Sequence, residues 1–285
     1  MARRSNFNGQ TKTIAAVTAQ TLVWTASDIA SERVVAYHLA LQGTDNDVGA
    51  IARVRVSANG VQILNATPAQ LRAYLQAFSV GAALKYPTTS RVLTIPFCLL
   101  DAPTPEMQDV CQFPSRSEVQ IEVTTDATVS AGSAIMGWTE TDRPPELFPR
   151  LLASSMNIPA STSNQRFNFQ SSGPVRGLCI PQAGLDRLRV VLGGQDYYLL
   201  PGSAYLALAT MGNMLEDSQS LYGNGLASSG TPLQDPVFLR LTGGVPAPVQ
   251  SSFVELVTQA GWAGVANELV VYDVNANGPG VPVRA

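Results

Sequence analysis

The sequence predicts an all-β protein built as two tandem eight-stranded jelly rolls, with a few short helices confined to inter-strand insertions. Three observations predict it. Apolar residues recur with the period of two that half-buried strands show, as in Val119-Gln120-Ile121-Glu122-Val123. Turn residues punctuate the chain throughout, with 23 glycines and 19 prolines, and helical patterns are short and few. A strand–turn–strand unit in the first half also returns 134 residues later, between Arg53 and Arg187. Many strands and few helices make a sandwich or jelly roll the natural architecture.

In chain order, residues 1–12 form a basic N-terminal arm carrying Arg3, Arg4 and Lys12. The first jelly roll is expected over residues 13–143. Strands are expected at Thr21–Thr25 and Arg33–Leu41, then as a hairpin in which Val54, Val56, Val61 and Ile63 alternate around Asn59-Gly60. Thr67-Pro68 then starts a short helix, with threonine as the cap and proline in the first turn. Arg91–Phe97, Val119–Val123 and Ser133–Thr139 complete the strands of this half. Pro144, Pro145 and Pro149 fix an extended connector over residues 144–149, and the second jelly roll occupies residues 150–285. Its expected strands include Gly177–Ile180, Leu188–Leu192, Val237–Thr242 and Glu268–Asp273.

The repeat sets Arg53-Val54-Arg55-Val56 over Arg187-Leu188-Arg189-Val190. Asn59-Gly60 then falls on Gly193-Gly194, Val61–Leu64 on Gln195–Tyr198, and Thr67-Pro68 on Pro201-Gly202. Each copy reads strand, tight turn, strand, proline-started helix. Later segments align more loosely: Leu93–Phe97 with Val237–Leu241, and Val119–Val123 with Leu269–Tyr272 as closing strands.

Composition narrows the chemistry. Hydrophobic residues make up 45% and charged residues 14%, which excludes a disordered chain. Net charge is −3, with 11 basic and 12 acidic residues up to position 145 and 7 and 9 beyond it, so neither half reads as a nucleic-acid binder. Cys98, Cys111 and Cys179 match no zinc spacing and are expected as buried thiols in a reducing cytoplasm. Ile14–Trp24 is interrupted by Thr18, Gln20 and Thr21, too short and polar to span a membrane.

Sites of chemistry are few. Asp273-Val274-Asn275-Ala276-Asn277-Gly278 matches the opening of a calcium loop, making Asp273, Asn275 and Asn277 weak metal candidates. Arg284 stands where that loop needs glutamate, so a strand end followed by a turn is the expectation. Thr44-Asp45-Asn46-Asp47 reads as another acidic turn. No catalytic residue, metal or cofactor is expected. His38, the single histidine, lies in a strand pattern and is expected to be structural. Glycine-rich phosphate motifs and Gly-x-Ser-x-Gly do not occur, and Glu216-Asp217 and Glu140/Asp142 read as solvated loop carboxylates. Trp24, Trp138 and Trp262 lie in apolar stretches and are expected in the core.

The paired elements Ile51–Gly60 and Leu185–Gly194 resemble those of double jelly-roll major capsid proteins, above all the coat proteins of corticoviruses, tailless icosahedral bacteriophages with an internal membrane. Leu93–Phe97, Pro105-Glu106-Met107 and Val119–Val123 fit the end of that family's first roll. The resemblance implies a non-catalytic subunit of a virion capsid, assembled in the host cytoplasm as a pseudo-hexagonal homotrimer. It implies contacts with neighbouring capsomers, penton and minor capsid proteins and the inner membrane, and none with nucleic acid. The arm residues Arg3, Arg4 and Lys12 would then be membrane-proximal; the plainer reading is a solvated terminus. The inserts Leu99–Phe113 and Gly212–Gly230 would sit at one end of the rolls. A tandem β-sandwich carbohydrate-binding module or glycosidase is the alternative.

Overall fold

A computed structural model of the chain describes residues 3–6, 9–25, 34–43, 48–58, 60–68, 70–71, 91–96, 119–141, 155–158, 164–168, 175–180, 185–201, 237–245, 253–258 and 267–273. Strands of the first half are β1 (Arg3–Asn6), β2 (Thr11–Ile14), β3 (Thr21–Thr25), β4 (Val34–Gly43), β5 (Ile51–Ala58), β6 (Val61–Ala66), β7 (Val92–Pro96), β8 (Val119–Thr125) and β9 (Gly132–Thr141). Those of the second half are β10 (Ser155–Ile158), β11 (Gln165–Asn168), β12 (Val175–Ile180), β13 (Leu185–Leu192), β14 (Gln195–Pro201), β15 (Val237–Val245), β16 (Phe253–Thr258) and β17 (Asn267–Asp273). Every pairing is antiparallel.

β1 and β2 both pair with β9, so they act as one interrupted first strand. Among the described residues each half then holds eight strands in two sheets. In the first half the orders are β1/β2-β9-β4-β7 and β3-β8-β5-β6; in the second they are β10-β17-β12-β15 and β11-β16-β13-β14. Counted within each half, both read 1-8-3-6 and 2-7-4-5. That interleaving is the jelly roll, and it occurs twice.

The halves also share irregularities that the topology does not demand. β4 slips against β9 between Val34 and Ala36, as β12 slips against β17 between Val175 and Gly177. β5 slips against β8 between Ile51 and Arg53, as β13 slips against β16 between Leu185 and Arg187. A third shift, between Val56 and Ser57, recurs between Val190 and Val191. Bulges bend and twist a strand locally, so matching bulges reproduce the same curvature in both rolls. The hairpin turns agree too. Gly193 and Gly194 have φ of +60° and +80°, the left-handed pair that a tight hairpin requires, and Gly60 has φ of +78°.

One alignment drawn from the sequence is corrected. Val119–Thr125 is the seventh strand of its roll, whereas Leu269–Tyr272 lies in β17, the eighth. The true counterpart of Gln120–Thr125 is Phe253–Thr258, which pairs at the equivalent register: Glu122 faces Arg55, and Glu255 faces Arg189. Thr125 and Thr258 occupy matching ends and are both buried. The inserts Leu99–Phe113 and Gly212–Gly230 lie outside the described residues.

The core of the first roll is one cluster between its two sheets. Leu22, Trp24, Val54, Val56, Leu64, Ile121 and Val123 point inward from one sheet. Ile14, Tyr37, Leu39, Leu41, Leu93, Ile95, Ala134, Met136 and Trp138 meet them from the other. The strict alternation of β8 follows from this: its inward positions are buried and the residues between them half-buried. In the second roll Leu188, Val190, Val254 and Leu256 are fully buried in the same phase.

The break between β1 and β2 has a sharp cause. Asn6 pairs with Trp138 and Thr11 with Ile135, so residues 7–10 span the length covered by residues 136–137 on β9. Gly9 lies against the Met136 carbonyl so closely that a methyl group on its Cα would overlap that oxygen. The Trp24 indole N–H donates to the Gln10 carbonyl at 2.7 Å, pinning the break to the core. After β6, Thr67 and Gln70 cap a helical turn reciprocally. The Gln70 N–H donates to Thr67 Oγ1 at 3.2 Å, and the Thr67 N–H to Gln70 Oε1 at 2.9 Å.

Candidate functional site

Among the described residues charged pairs gather on the outward faces of the two 2-7-4-5 sheets, because inward positions are apolar and long polar side chains reach across neighbouring strands. In the first roll Arg55 Nη1 pairs with Glu122 at 3.4 Å, and Arg53 donates to Asn65 Oδ1 at 2.7 Å. In the second, Glu255 receives Arg187 at 3.1 Å and Arg189 at 3.8 Å. Arg189 also reaches Asp196 at 2.7 Å. That hydrogen bond holds the Asp196 carboxyl below the usual carboxylate range and raises the Arg189 guanidinium. The Arg166 guanidinium lies 3.6 Å over the Phe253 ring and donates to Asn168 Oδ1.

Such solvent-facing pairs add little net stability. Their role is register, since opposite charges placed across adjacent strands disfavour a slip that would put each arginine on the core face. The sequence reading quoted Arg53, Arg55, Arg187 and Arg189 but missed their carboxylate partners. A signal existed: Gln120-Ile121-Glu122-Val123-Thr124-Thr125 aligns with Phe253-Val254-Glu255-Leu256-Val257-Thr258, glutamate on glutamate.

Of the predicted site residues, Arg3, Arg4, Lys12 and Asp273 fall among the described residues. Arg3 and Arg4 lie in β1 and Lys12 in β2, successive segments of one sheet edge, with Lys12 Nζ donating to Gln10 Oε1. Asp273 ends β17, while Asn275, Asn277 and residues 44–47 lie outside the described residues. So do Cys98, Cys111, Trp262 and the connector 144–149; Cys179 lies in β12. Among the described residues no cluster of histidine, cysteine and carboxylate side chains could hold a metal ion. No helix among them is long and apolar enough to cross a membrane.

His38 sits on β4 opposite Thr94, with Nδ1 3.1 Å from the threonine Oγ1. Burial lowers its pKa from the ordinary 6.5. Above that value the ring is neutral in both folded and unfolded chains. As pH falls below it, the unfolded chain takes up the proton first, so stability declines until the folded pKa is passed. His38→Gln is expected to remove this decline. Urea unfolding of both proteins across the acid range checks it, and parallel pH profiles would contradict it.

One end of the first roll is tied by backbone bonds. Val17 N–H donates to Val129 O at 2.8 Å, Asp126 N–H to Ala50 O at 2.9 Å, and Thr125 N–H to Gln20 O at 2.9 Å. These join the first-to-second, third-to-fourth and seventh-to-eighth connections. Val17 is held there at φ +54°, a costly conformation for a β-branched residue, and is 76% exposed.

At the sequence level no protein-family model matches the chain, and no curated protein matches it. Solved structures do match. The major capsid protein P2 from bacteriophage PM2 superposes with a TM-score of 0.61 at 12% identity, covering 97% of this chain and 100% of P2. PBCV-1 VP54, fitted into a reconstruction of the virophage Sputnik, gives 0.55 at 12% identity, covering 95% of this chain and 92% of that one. A quasi-atomic model of the PBCV-1 virus capsid gives 0.50 at 13% identity over the same shares. The chain therefore has the double jelly-roll fold that these capsid proteins share.

Proposed function

We propose that this chain is a viral major capsid protein, non-catalytic, forming pseudo-hexagonal homotrimeric capsomers of an icosahedral shell around an internal membrane. The observation that carries the reading is a complete match: two rolls of one strand order, spanning 97% of this chain and all of P2. A duplicated roll gives each subunit two similar flanks. Three copies in a closed ring then present six similar units, with each contact heterologous and repeated. In this reading the chain resides in the virion capsid, is assembled in the host cytoplasm, and meets neighbouring capsomers, penton and minor capsid proteins. Negative-stain micrographs of the purified chain are expected to show hexagonal particles with six lobes. Isolated two-lobed particles at high concentration would contradict the proposal.

The basic edge formed by Arg3, Arg4 and Lys12 belongs to the same reading as the side nearest an anionic membrane surface. Each positive charge held there contributes about 1 kcal/mol. Deleting residues 2–12 is expected to weaken binding to vesicles containing phosphatidylserine, and unchanged binding would remove this role.

A further inference from the structure

We infer that β1 is an exchangeable strand, which pairs with β9 of a second copy of this chain once copies stand side by side; the inference rests on the assembly proposed above. β1 reads Arg-Arg-Ser-Asn, with no apolar residue to anchor it. Among the described residues it is an edge strand with one neighbour, paired at four positions between Arg3–Asn6 and Trp138–Thr141. The rest of the first strand differs. β2 ends in Ile14, which is 1% exposed and part of the core.

The boundary between the two segments is a register break. Residues 7–10 carry two residues more than the stretch of β9 they pass, so β1 and β2 are not locked into one register. Trp24 grips the chain at Gln10, on the β2 side of the break. β1 can therefore leave β9 without disturbing the core. Short edge segments near a chain terminus open at low free-energy cost while the remainder stays folded.

An open β1 leaves the edge of β9 from Trp138 to Thr141 unpaired, and such an edge accepts an incoming strand. The strand with matching register is another copy's β1, because exchange re-forms the same four pairs. Closed and exchanged forms make the same four strand pairs, so high local concentration, as for neighbours within a capsomer, favours exchange. Exchange keeps Arg3 and Arg4 on the same sheet edge and leaves the membrane-proximal role unchanged.

Ser5 and Thr139 are direct partners, at a separation a disulfide can bridge. Isotopically heavy Ser5→Cys protein is mixed with light Thr139→Cys protein, concentrated, oxidised and digested. The expected result is a heavy–light peptide joining positions 5 and 139, recovered at more than ten times its yield from a dilute mixture. A Ser5→Cys/Thr139→Cys double variant that closes within its own chain, with no heavy–light peptide in the mixture, would overturn the exchange. Absence of the link in both samples would overturn it as well, by removing the register on which it depends. A trimer that lacks the inter-chain link removes the exchange while leaving the capsid reading intact.

Discussion

Trp24→Ala is expected to cost about 3–5 kcal/mol of unfolding free energy, the range for removing a fully buried large aromatic side chain. Trp24 is fully buried in the core cluster between the two sheets of the first roll. Two losses add. The cavity left by the indole can close only partly in a packed interior, and the Gln10 carbonyl loses its 2.7 Å donor. Trp24→Phe separates the terms, because it keeps much of the volume and removes the donor. It is expected to cost less than the alanine variant, by urea unfolding monitored through far-ultraviolet circular dichroism. Equal stability of Trp24→Ala and the parent would show that the two sheets do not meet at this residue.

Gly9→Ala is the second large effect, expected to destabilise by about 1–3 kcal/mol, as overpacking of a close contact does. The obstacle is backbone, not a side chain that can swing aside. A methyl group on Gly9 would overlap the Met136 carbonyl oxygen, so either β9 bends or the segment from Arg3 to Gln10 lifts off. Hydrogen exchange distinguishes these outcomes. Lift-off accelerates exchange of amides 3–6 while those of β4 opposite β9 remain protected. An alanine variant with the parent's stability and exchange pattern would contradict the close approach.

The fold was legible where local pattern and long-range pairing agree. The hairpin around Gly60 and its copy at Gly193-Gly194 were readable because alternation, turn residues and repeat spacing coincide within fifteen or so residues. The strands the reading missed share a physical cause. β1, β2, β10 and β11 have four residues each, and β1 and β2 lie on an edge, where one neighbour and one solvated side leave little need for apolar residues. Thr11-Lys12-Thr13-Ile14 carries a single core residue, so it reads as loop.

β16 was hidden differently. Phe253 and Val254 are adjacent and both buried, which breaks the alternation. Phe253 faces outward and is covered by the Arg166 guanidinium, a residue 87 positions away that no local window contains. Missing β16 also displaced the closing-strand alignment by one strand. The Arg–Glu rows left only the alignment of Glu122 with Glu255 as a signal. Arg55 and Glu122 are separated by 67 residues, and Arg187 and Glu255 by 68, so only the sheet order makes them neighbours. His38 was expected as structural from its strand pattern, and in the fold it lies on β4 and meets Thr94.

The central claim is that two like rolls in one chain assemble in threes. Light scattering during size-exclusion chromatography of the full chain tests it most directly. A species at three times 30.2 kDa is the predicted result. A species that stays at 30.2 kDa as concentration rises would contradict it.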